Sequence, residues 1–347
     1  KKPEVLQALC ENAQAVFDTR TSVGGLACEL FSSGERIEFS GDFDAQIAKT
    51  KELIKRGVKV IYEATFCFEG ILVMVDILCV SEDELVINEV KSSTSVKEVY
   101  IDDAAIQYYV ISSLGYKVSA VNIIHIDNSY VRGEKLELEK FFHTEDVTEQ
   151  VKQKQADIPQ ILNKFEEILS KNVEPEVDIG PHCSNPYACD AWEYCWREQR
   201  SIPEYSVFDI SRLRSDKKFE LYKSGIVKFE DIKELDKFNA SQQIQIRSEL
   251  SKEQIIDKEA IKEFLNTLSY PLYHLDFETF QQAVPEFIGL RPYEQIPFQF
   301  SIHKDDGDGN LKHFEFLSEA GADVEVVTAA GVPHGHLNAV GSPLTSR

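Results

Sequence analysis

Apolar and polar positions in the first part of the chain predict a helix followed by three strands. Residues 42–56 carry apolar side chains at helical spacing until Gly57 stops the pattern. Three short runs rich in β-branched and aromatic residues follow, VKVIYEATFCF, GILVMVDILCV and ELVINEVKSS, with turn residues near positions 69 and 82 between them. An antiparallel meander is the simplest connection.

The pattern then returns to helical spacing. Residues 101–114 (IDDAAIQYYVISSL) predict a helix that ends at Gly115, and KVSAVNIIHID predicts another strand. Residues 146–171 have the pattern of one long polar helix. The predicted order of the core is therefore helix, three strands, helix, strand, which makes this part an α/β unit.

The rest of the chain changes character three times. Residues 174–196 form a loop-rich element with three prolines and three cysteines, and residues 205–265 contain only short amphipathic helical patterns. From residue 270, PLYHLDFETF and QIPFQFSIHK predict two strands that open a new α/β unit. Residues 321–347 have the composition of a disordered tail, or of sequence foreign to the fold.

Composition narrows the functional classes. The chain has 347 residues, 43% hydrophobic and 28% charged, and no apolar run approaches the roughly 20 residues of a membrane span. Lys+Arg 37 against Asp+Glu 59 gives a net charge of −22, which argues against indiscriminate binding of nucleic acid. The N-terminus lacks the apolar core of a signal peptide, so we expect a cytoplasmic protein that does not enter a membrane.

One constellation of charged residues predicts catalytic chemistry. Asp76 interrupts the apolar run of the second strand, where an unpartnered carboxylate is costly. Glu89 and Lys91 lie two positions apart on the next strand and therefore share a face, and Gln107 follows on the helix. Asp76, Glu89 and the carbonyl of Val90 are oxygen ligands suited to Mg²⁺ or Mn²⁺. Lys91 would orient or deprotonate the attacking water, and Gln107 would position the lysine or a phosphate.

Three of the seven cysteines predict a metal site. Cys183, Cys189 and Cys195 have the spacing C-x5-C-x5-C in a loop beside prolines and aromatic residues. Clustered thiols in a reducing compartment are typical of zinc or iron–sulfur ligation, and both normally need a fourth ligand. His182 is a candidate fourth ligand for zinc, and the absence of any metal is the remaining alternative.

Residues 57–127 resemble the core of the PD-(D/E)XK nuclease superfamily, specifically the RecB-like branch that includes the CRISPR-adaptation exonucleases. The resemblance assigns Asp76, Glu89 and Lys91 to the catalytic acid, acid and lysine, and Gln107 to the glutamine of the following motif. Two positions depart from the family pattern. Ala27 stands about where an upstream histidine ligand would fall, and Ile111 replaces a tyrosine expected four residues after Gln107. Glu63 is a candidate replacement ligand, with a solvent-facing strand glutamate as the alternative.

The same family bears on the cysteines and on the end of the chain. Many RecB-like nucleases hold a [4Fe-4S] cluster with three cysteines after the core and one far upstream, which implies a cluster here with Cys10 in the fourth position, or a first segment that is missing. HLDFETF, with Asp276 and Glu278 on one strand face, is followed by RPYEQIPFQFSIH and resembles the opening of an uncharacterised bacterial RNase H-like (DEDD exonuclease-like) domain that follows RecB-like nuclease domains. There the two acids would hold metal, but the further aspartates that such a domain needs are missing. The alternative is a chance pair of acids on a strand.

These observations predict a fragment of a two-nuclease polypeptide. Its fold class is α/β, with a mixed sheet flanked by helices, a helical connector and a partial RNase H-like unit. The expected domains are a nuclease domain at 1–200, the connector at 201–267, the incomplete unit at 268–320 and the tail at 321–347. The expected activity is metal-dependent hydrolysis of single-stranded DNA or duplex ends. The alternative is a nucleic-acid-binding or scaffolding module whose chemistry has lapsed.

Overall fold

The computed structural model describes residues 3–6, 11–82 and 84–318, with the backbone alone for residues 11–14 and 16. The strands are β1 Glu35–Arg36, β2 Val60–Phe68, β3 Ile71–Val80, β4 Leu85–Lys91, β5 Val118–Ile126, β6 Phe142–Asp146, β7 Leu272–Phe280, β8 Ile296–Asp305 and β9 Leu311–Leu317. The α-helices are α1 Glu11–Cys28, α2 Phe43–Lys55, α3 Glu98–Ser113, α4 Leu138–Phe141, α5 Thr148–Lys154, α6 Ile158–Ser170, α7 Ser215–Lys223, α8 Ala240–Ser251 and α9 Lys258–Asn266.

The described residues form two compact units. One contains residues 12–171 and 270–318, and the other contains residues 172–269 with the few described residues before position 12. The domain boundaries that the sequence predicts, after residues 200, 267 and 320, stay predictions. The predicted tail at 321–347 lies outside the described residues.

A six-stranded mixed sheet forms the centre of the first unit. Its strand order is β1-β2-β3-β4-β5-β6. The β2–β3, β3–β4 and β5–β6 pairs are antiparallel, whereas β1–β2 and β4–β5 are parallel. The crossover from β4 to β5 runs through α3, as a parallel pair requires. The predicted mixed sheet flanked by helices is confirmed, as is the meander of its three central strands.

Local signals set the ends of these elements. The side chain of Asp42 accepts a hydrogen bond from the Ala45 N–H at 3.0 Å, and so caps the start of α2. Gly57, just after this helix, has φ +74°, which is a left-handed conformation that glycine adopts without strain. Glu69 and Gly70 both have positive φ in the two-residue turn between β2 and β3.

The prediction of one long helix at residues 146–171 is wrong. The segment forms α5 and α6, with a break after Lys154. Pro159 stands in the first turn of α6, where its missing N–H is tolerated. In the interior of a longer helix the same proline would remove a backbone hydrogen bond, so the chain breaks before it.

Two hydrophobic cores cover the two faces of the sheet. The α3-side core contains residues of α3 and α2 with Ile61, Ala64 and Val75 of the sheet. The α1-side core contains Val23 and Ala27 of α1 with sheet residues from β2, β3, β5 and β6. Both faces of the central strands are therefore buried, which explains their nearly continuous apolar sequences.

The strands β7, β8 and β9 form a separate antiparallel sheet in the same unit. Two of them were predicted, and β9 was not. One face carries Leu275, Ile302 and Phe314 opposite one another, and the other face carries a row of histidines and acids. This clean alternation is typical of an antiparallel sheet with one apolar face.

The second unit is helical. It contains α7, α8 and α9, with short 3-10 turns and a π-helical turn at Tyr194–Glu198. Two small hydrophobic cores hold it together, one around Phe229 and Ile246 and one around Trp196 and Phe219. Across the described part of the chain, no helix combines the length and the apolar character needed to cross a bilayer.

Candidate metal centre

Strands β3 and β4 separate at the level of Asp76. Their pairing runs from Val80 opposite Leu85 to Ile77 opposite Asn88. Just beyond this last pair, Asp76 Oδ2 accepts a hydrogen bond from the Val90 N–H at 2.7 Å. The N–H and C=O of one strand residue point to the same side, so the Val90 carbonyl also faces the gap. The split thus brings a carboxylate and a main-chain oxygen together.

At the level of Asp76, both β2 and β3 interrupt the regular alternation of side chains between the two faces of the sheet. We call this interruption a phase change. Tyr62 lies in the α1-side core and Ala64 in the α3-side core, although positions two apart in a regular strand share a face. On β3, Val75 and Ile77 are divided between the two cores in the same way. Glu63 therefore lies at the irregularity of β2, with φ +59°, across from Asp76. Such strained residues are characteristic of functional sites.

Glu89 and Lys91 share a face of β4, as predicted, and α3 lies over that face. Lys91 Nζ donates to Glu89 Oε1 at 2.8 Å, and Gln107 Nε2 donates to Glu89 Oε2 at 2.8 Å. Lys91 also donates to Asp103 Oδ2 at 2.9 Å, and its ammonium lies 5.2 Å from the centre of the Tyr100 ring. The structure therefore brings Asp76, Glu89, Lys91 and Gln107 into one place.

Asp103 is a site residue that the sequence analysis missed. It lies four residues before Gln107 on α3, and residues at this spacing share a helix face. Once Gln107 is placed over the strand, this spacing is the signal that would have found Asp103. Its carboxylate accepts a second hydrogen bond from Lys91, in addition to the one that Glu89 accepts.

Acidic side chains outnumber basic ones at this site. Burial raises the pKa of Asp76, and the charge of Glu63 raises it further against the hydrogen bond from Val90. Burial likewise raises the pKa of Glu89, and the charge of Asp76 adds to it while Lys91 opposes. Burial alone would lower the pKa of Lys91, but the charges of Glu89 and Asp103 raise it above its usual range. Lys91 therefore carries its proton at neutral pH.

Glu63 belongs to a small network at the same site. Arg36 Nη1 lies 3.2 Å from Glu63 Oε1, and Arg36 Nη2 donates to Cys28 Sγ at 3.2 Å. Burial raises the pKa of Glu63, Arg36 opposes this, and Glu89 adds to it. Ala27, the position that departs from the nuclease pattern, is fully buried in the α1-side core and has no donor atom to offer.

The residues at the split fit a divalent cation. Asp76 and Val90 present oxygens to one gap, and each oxygen of Glu89 keeps a lone pair beyond the one used by Lys91 or Gln107. Gln107 Oε1 is buried and accepts no hydrogen bond from the described residues, so it is an acceptor left for a further donor such as a water. Hard oxygen donors and excess negative charge are the chemistry that Mg²⁺ or Mn²⁺ requires.

The three predicted cysteine ligands lie in one short stretch of the second unit, with Cys183 at the end of a 3-10 turn and Cys195 in the π-helical turn. The Cys189 N–H donates to the Cys183 carbonyl at 2.9 Å. Burial raises the pKa of Cys195; Arg200 lowers it, and the neighbouring thiols of Cys189 and Cys183 raise it. Arg200 also donates to the Cys195 carbonyl at 2.8 Å and pairs with Asp178 at 2.6 Å. It therefore links the cysteine segment to the chain around Asp178.

The cysteine segment does not complete a metal site from the described residues. Nowhere in residues 3–6, 11–82 and 84–318 do three His, Cys, Asp or Glu side chains converge closely enough to hold a metal ion, either at the cysteines or at the split, where the Val90 carbonyl accompanies the two acids. The predicted fourth ligand, Cys10, lies outside the described residues. We therefore derive no role for an iron–sulfur cluster or zinc, and a metal at the cysteines stays a prediction.

Asp276 and Glu278, the second predicted pair of acids, share one face of β7 and are exposed. The neighbouring strands place Ser301 and then Glu315 in register with Asp276. The same strands align His274 with His303 and His313, and the rings of the last two stack with centres 4.3 Å apart. Two acids on one strand form an incomplete site, so metal binding by Asp276 and Glu278 also stays a prediction.

Comparison with known proteins gives one family match. A family model described as "Domain of unknown function (DUF2779)" matches residues 273–330. The match therefore begins in β7 and includes β8 and β9, and it leaves the six-stranded sheet outside. No curated protein and no solved structure matches the chain.

Proposed function

We propose that this protein is a metal-dependent nuclease that hydrolyses DNA phosphodiester bonds at the split between β3 and β4. The observation that carries the proposal is the convergence of two acids, a lysine and a glutamine there, with Asp76 facing Val90 and with Glu89 held between Lys91 and Gln107. The mixed sheet flanked by helices agrees with the PD-(D/E)XK fold that the sequence resembles.

Each residue has a defined task in this proposal. A divalent cation held by Asp76, Glu89 and the Val90 carbonyl would polarise the phosphate and lower the pKa of a bound water. Lys91 is protonated, so it orients the water and stabilises negative charge on the phosphate oxygens rather than accepting a proton. Gln107 and Asp103 fix the directions of Glu89 and Lys91. The water oxygen bonds to phosphorus as the bond from phosphorus to one ester oxygen breaks; one water proton ends on the leaving oxygen, and the other stays on the new phosphate or passes to solvent.

The experiment that tests this function is cleavage of end-labelled DNA by the purified chain. Single-stranded and duplex substrates are compared in Mg²⁺, Mn²⁺, Ca²⁺ and chelator. We expect cleavage in Mg²⁺ or Mn²⁺ and none in chelator, and the preferred substrate identifies the form of DNA. Intact DNA of both forms after incubation with folded protein and Mn²⁺ would refute the hydrolase and leave a binding module.

Asp76→Asn is expected to stabilise the metal-free protein at pH 8. Because burial raises the folded pKa of Asp76, the folded state binds a proton there more readily than the unfolded state does. The stability contributed by Asp76 is complete below the usual carboxyl pKa and is lost as the pH rises through the raised value. The amide removes this loss, so we expect the Tm to rise by about 3 °C, as for a change of about 1 kcal/mol.

The same variant tests the cation site without DNA. Wild-type protein should gain Tm on addition of Mn²⁺, and Asp76→Asn should not. Asp157→Asn is the matched control, because this exposed carboxylate caps nothing through its side chain. An equal Mn²⁺ response in all three proteins would place any metal elsewhere.

A further inference from the structure

The loop that joins β7 to β8, residues 281–295, is packed on the six-stranded sheet. Ala283 and Leu290 in this loop are 6% and 4% exposed. Ala283 is part of the α1-side core, and Val284 and Tyr293 pack against that core. The loop lies within the segment that matches DUF2779, yet it buries its apolar side chains against another sheet.

Backbone hydrogen bonds fix the position of this loop. The Arg132 N–H donates to the Leu290 carbonyl at 2.9 Å, and the Gly289 N–H donates to the Arg132 carbonyl at 2.7 Å. The Tyr293 N–H donates to the Gln282 carbonyl at 2.7 Å, which closes the loop on itself. Tyr293 has φ +59°, an unfavourable conformation for a tyrosine, so the contacts around it must hold it there.

The Tyr293 hydroxyl reaches the end of β4. It donates a hydrogen bond to the carbonyl of Ser92, the residue after Lys91. The Ser93 carbonyl accepts from the Ile126 N–H of β5, so β5 and Tyr293 hold two consecutive carbonyls just after β4. Val90, whose N–H meets Asp76, lies two residues before Ser92. Tyr293 therefore holds the chain immediately after the residues of the split.

We propose that Tyr293 is a positioning residue of the candidate metal centre. By holding the Ser92 carbonyl, its hydroxyl fixes the Val90 carbonyl and Lys91 relative to Asp76. It acts through the strand and does not itself hold metal or substrate. This inference rests on the proposed function, and it means that the DUF2779 segment contributes a part of a site whose acids lie on another sheet.

Tyr293→Phe tests the inference, with Tyr273→Phe as the matched control. Tyr273 is 60% exposed and lies on β7 in the same segment. We expect Tyr293→Phe to weaken Mn²⁺ binding, measured by calorimetry without DNA, by about tenfold, as for loss of an outer contact to a metal site. The kcat for DNA cleavage should fall by a similar factor with KM unchanged. The control should match the wild type in all three quantities.

Amide hydrogen exchange of residues 90–93 in the metal-free protein gives a second measurement. We expect faster exchange of the Val90 amide in Tyr293→Phe than in Tyr273→Phe. Unchanged exchange, or Mn²⁺ affinity and kcat equal to those of the wild type, would overturn the role of Tyr293 while leaving the nuclease in place. Wild-type protein that binds no Mn²⁺ would overturn the proposed function, and this inference with it.

Discussion

Replacing Glu89 with glutamine is expected to lower the rate of metal-dependent DNA cleavage by about a thousandfold. The change keeps the shape of the side chain but removes the charge that pairs with Lys91 and that would face the proposed cation. Groups that stabilise charge or transfer protons in such reactions each contribute about 10²–10⁴-fold in rate. The measurement is the single-turnover rate on end-labelled DNA in Mn²⁺, together with the Kd for the same DNA in Ca²⁺.

The affinity measurement separates an enzyme from a binding module. An enzyme should lose cleavage and keep its Kd within about twofold, because the carboxylate acts on the reacting phosphate rather than on the whole DNA. Glu149→Gln is the control, since this glutamate is 79% exposed and pairs with Lys152 on the surface of α5. Cleavage by Glu89→Gln at the rate of the control would contradict the assignment.

Replacing Lys91 with methionine is expected to lower the free energy of unfolding by about 2 kcal/mol at pH 9.5 relative to the wild type. The side chains of Lys91 and Glu89 are 19% and 8% exposed, and removal of one partner from a buried pair leaves an uncompensated charge. Without Lys91 the pKa of Glu89 rises further, because the lysine lowers it. In both proteins the folded state keeps Glu89 protonated up to about pH 8, the raised wild-type pKa, so the extra loss in the variant develops as the pH rises above that value. Urea unfolding at pH 7 and pH 9.5 measures it.

A double variant tests the cause of that loss. Adding Glu89→Gln to Lys91→Met removes the buried carboxylate and should restore most of the stability at pH 9.5. Lys49→Met is the control, because Lys49 is 44% exposed and pairs with Glu52 on the surface of α2. We expect Lys49→Met to change the free energy of unfolding by less than about 1 kcal/mol. A double variant as unstable as Lys91→Met would show that the lysine stabilises the protein by packing instead.

The sequence predicts the parts of the site that depend on local spacing. Glu89 and Lys91 share a face because they lie two apart on a strand, and strands of this length follow from their β-branched residues. Gly57 and Gly115 end their helices at the predicted places, with φ +74° and +89°. Features of this kind can be predicted from the side-chain periodicity of a helix or strand and from the residues that end it.

The missed parts depend on contacts that are distant in the sequence. The phase change at Glu63 and Asp76 is invisible in the sequence because both faces of these strands are apolar. Asp103 becomes a site residue only when α3 lies over β4. The bond from Tyr293 joins residues 201 positions apart, and no local pattern carries that information.

The shared phase change of β2 and β3 restricts how this region can vary in length. The strands keep a constant register on both sides of the irregularity, with Tyr62 opposite Ile77 and Ala64 opposite Val75. Loss of one residue at Glu63 alone would slip the rest of β2 by one position and exchange the side chains of the two cores. Related chains should therefore gain or lose residues here in both strands together, so that an insertion in one hairpin arm is matched by an insertion in the other.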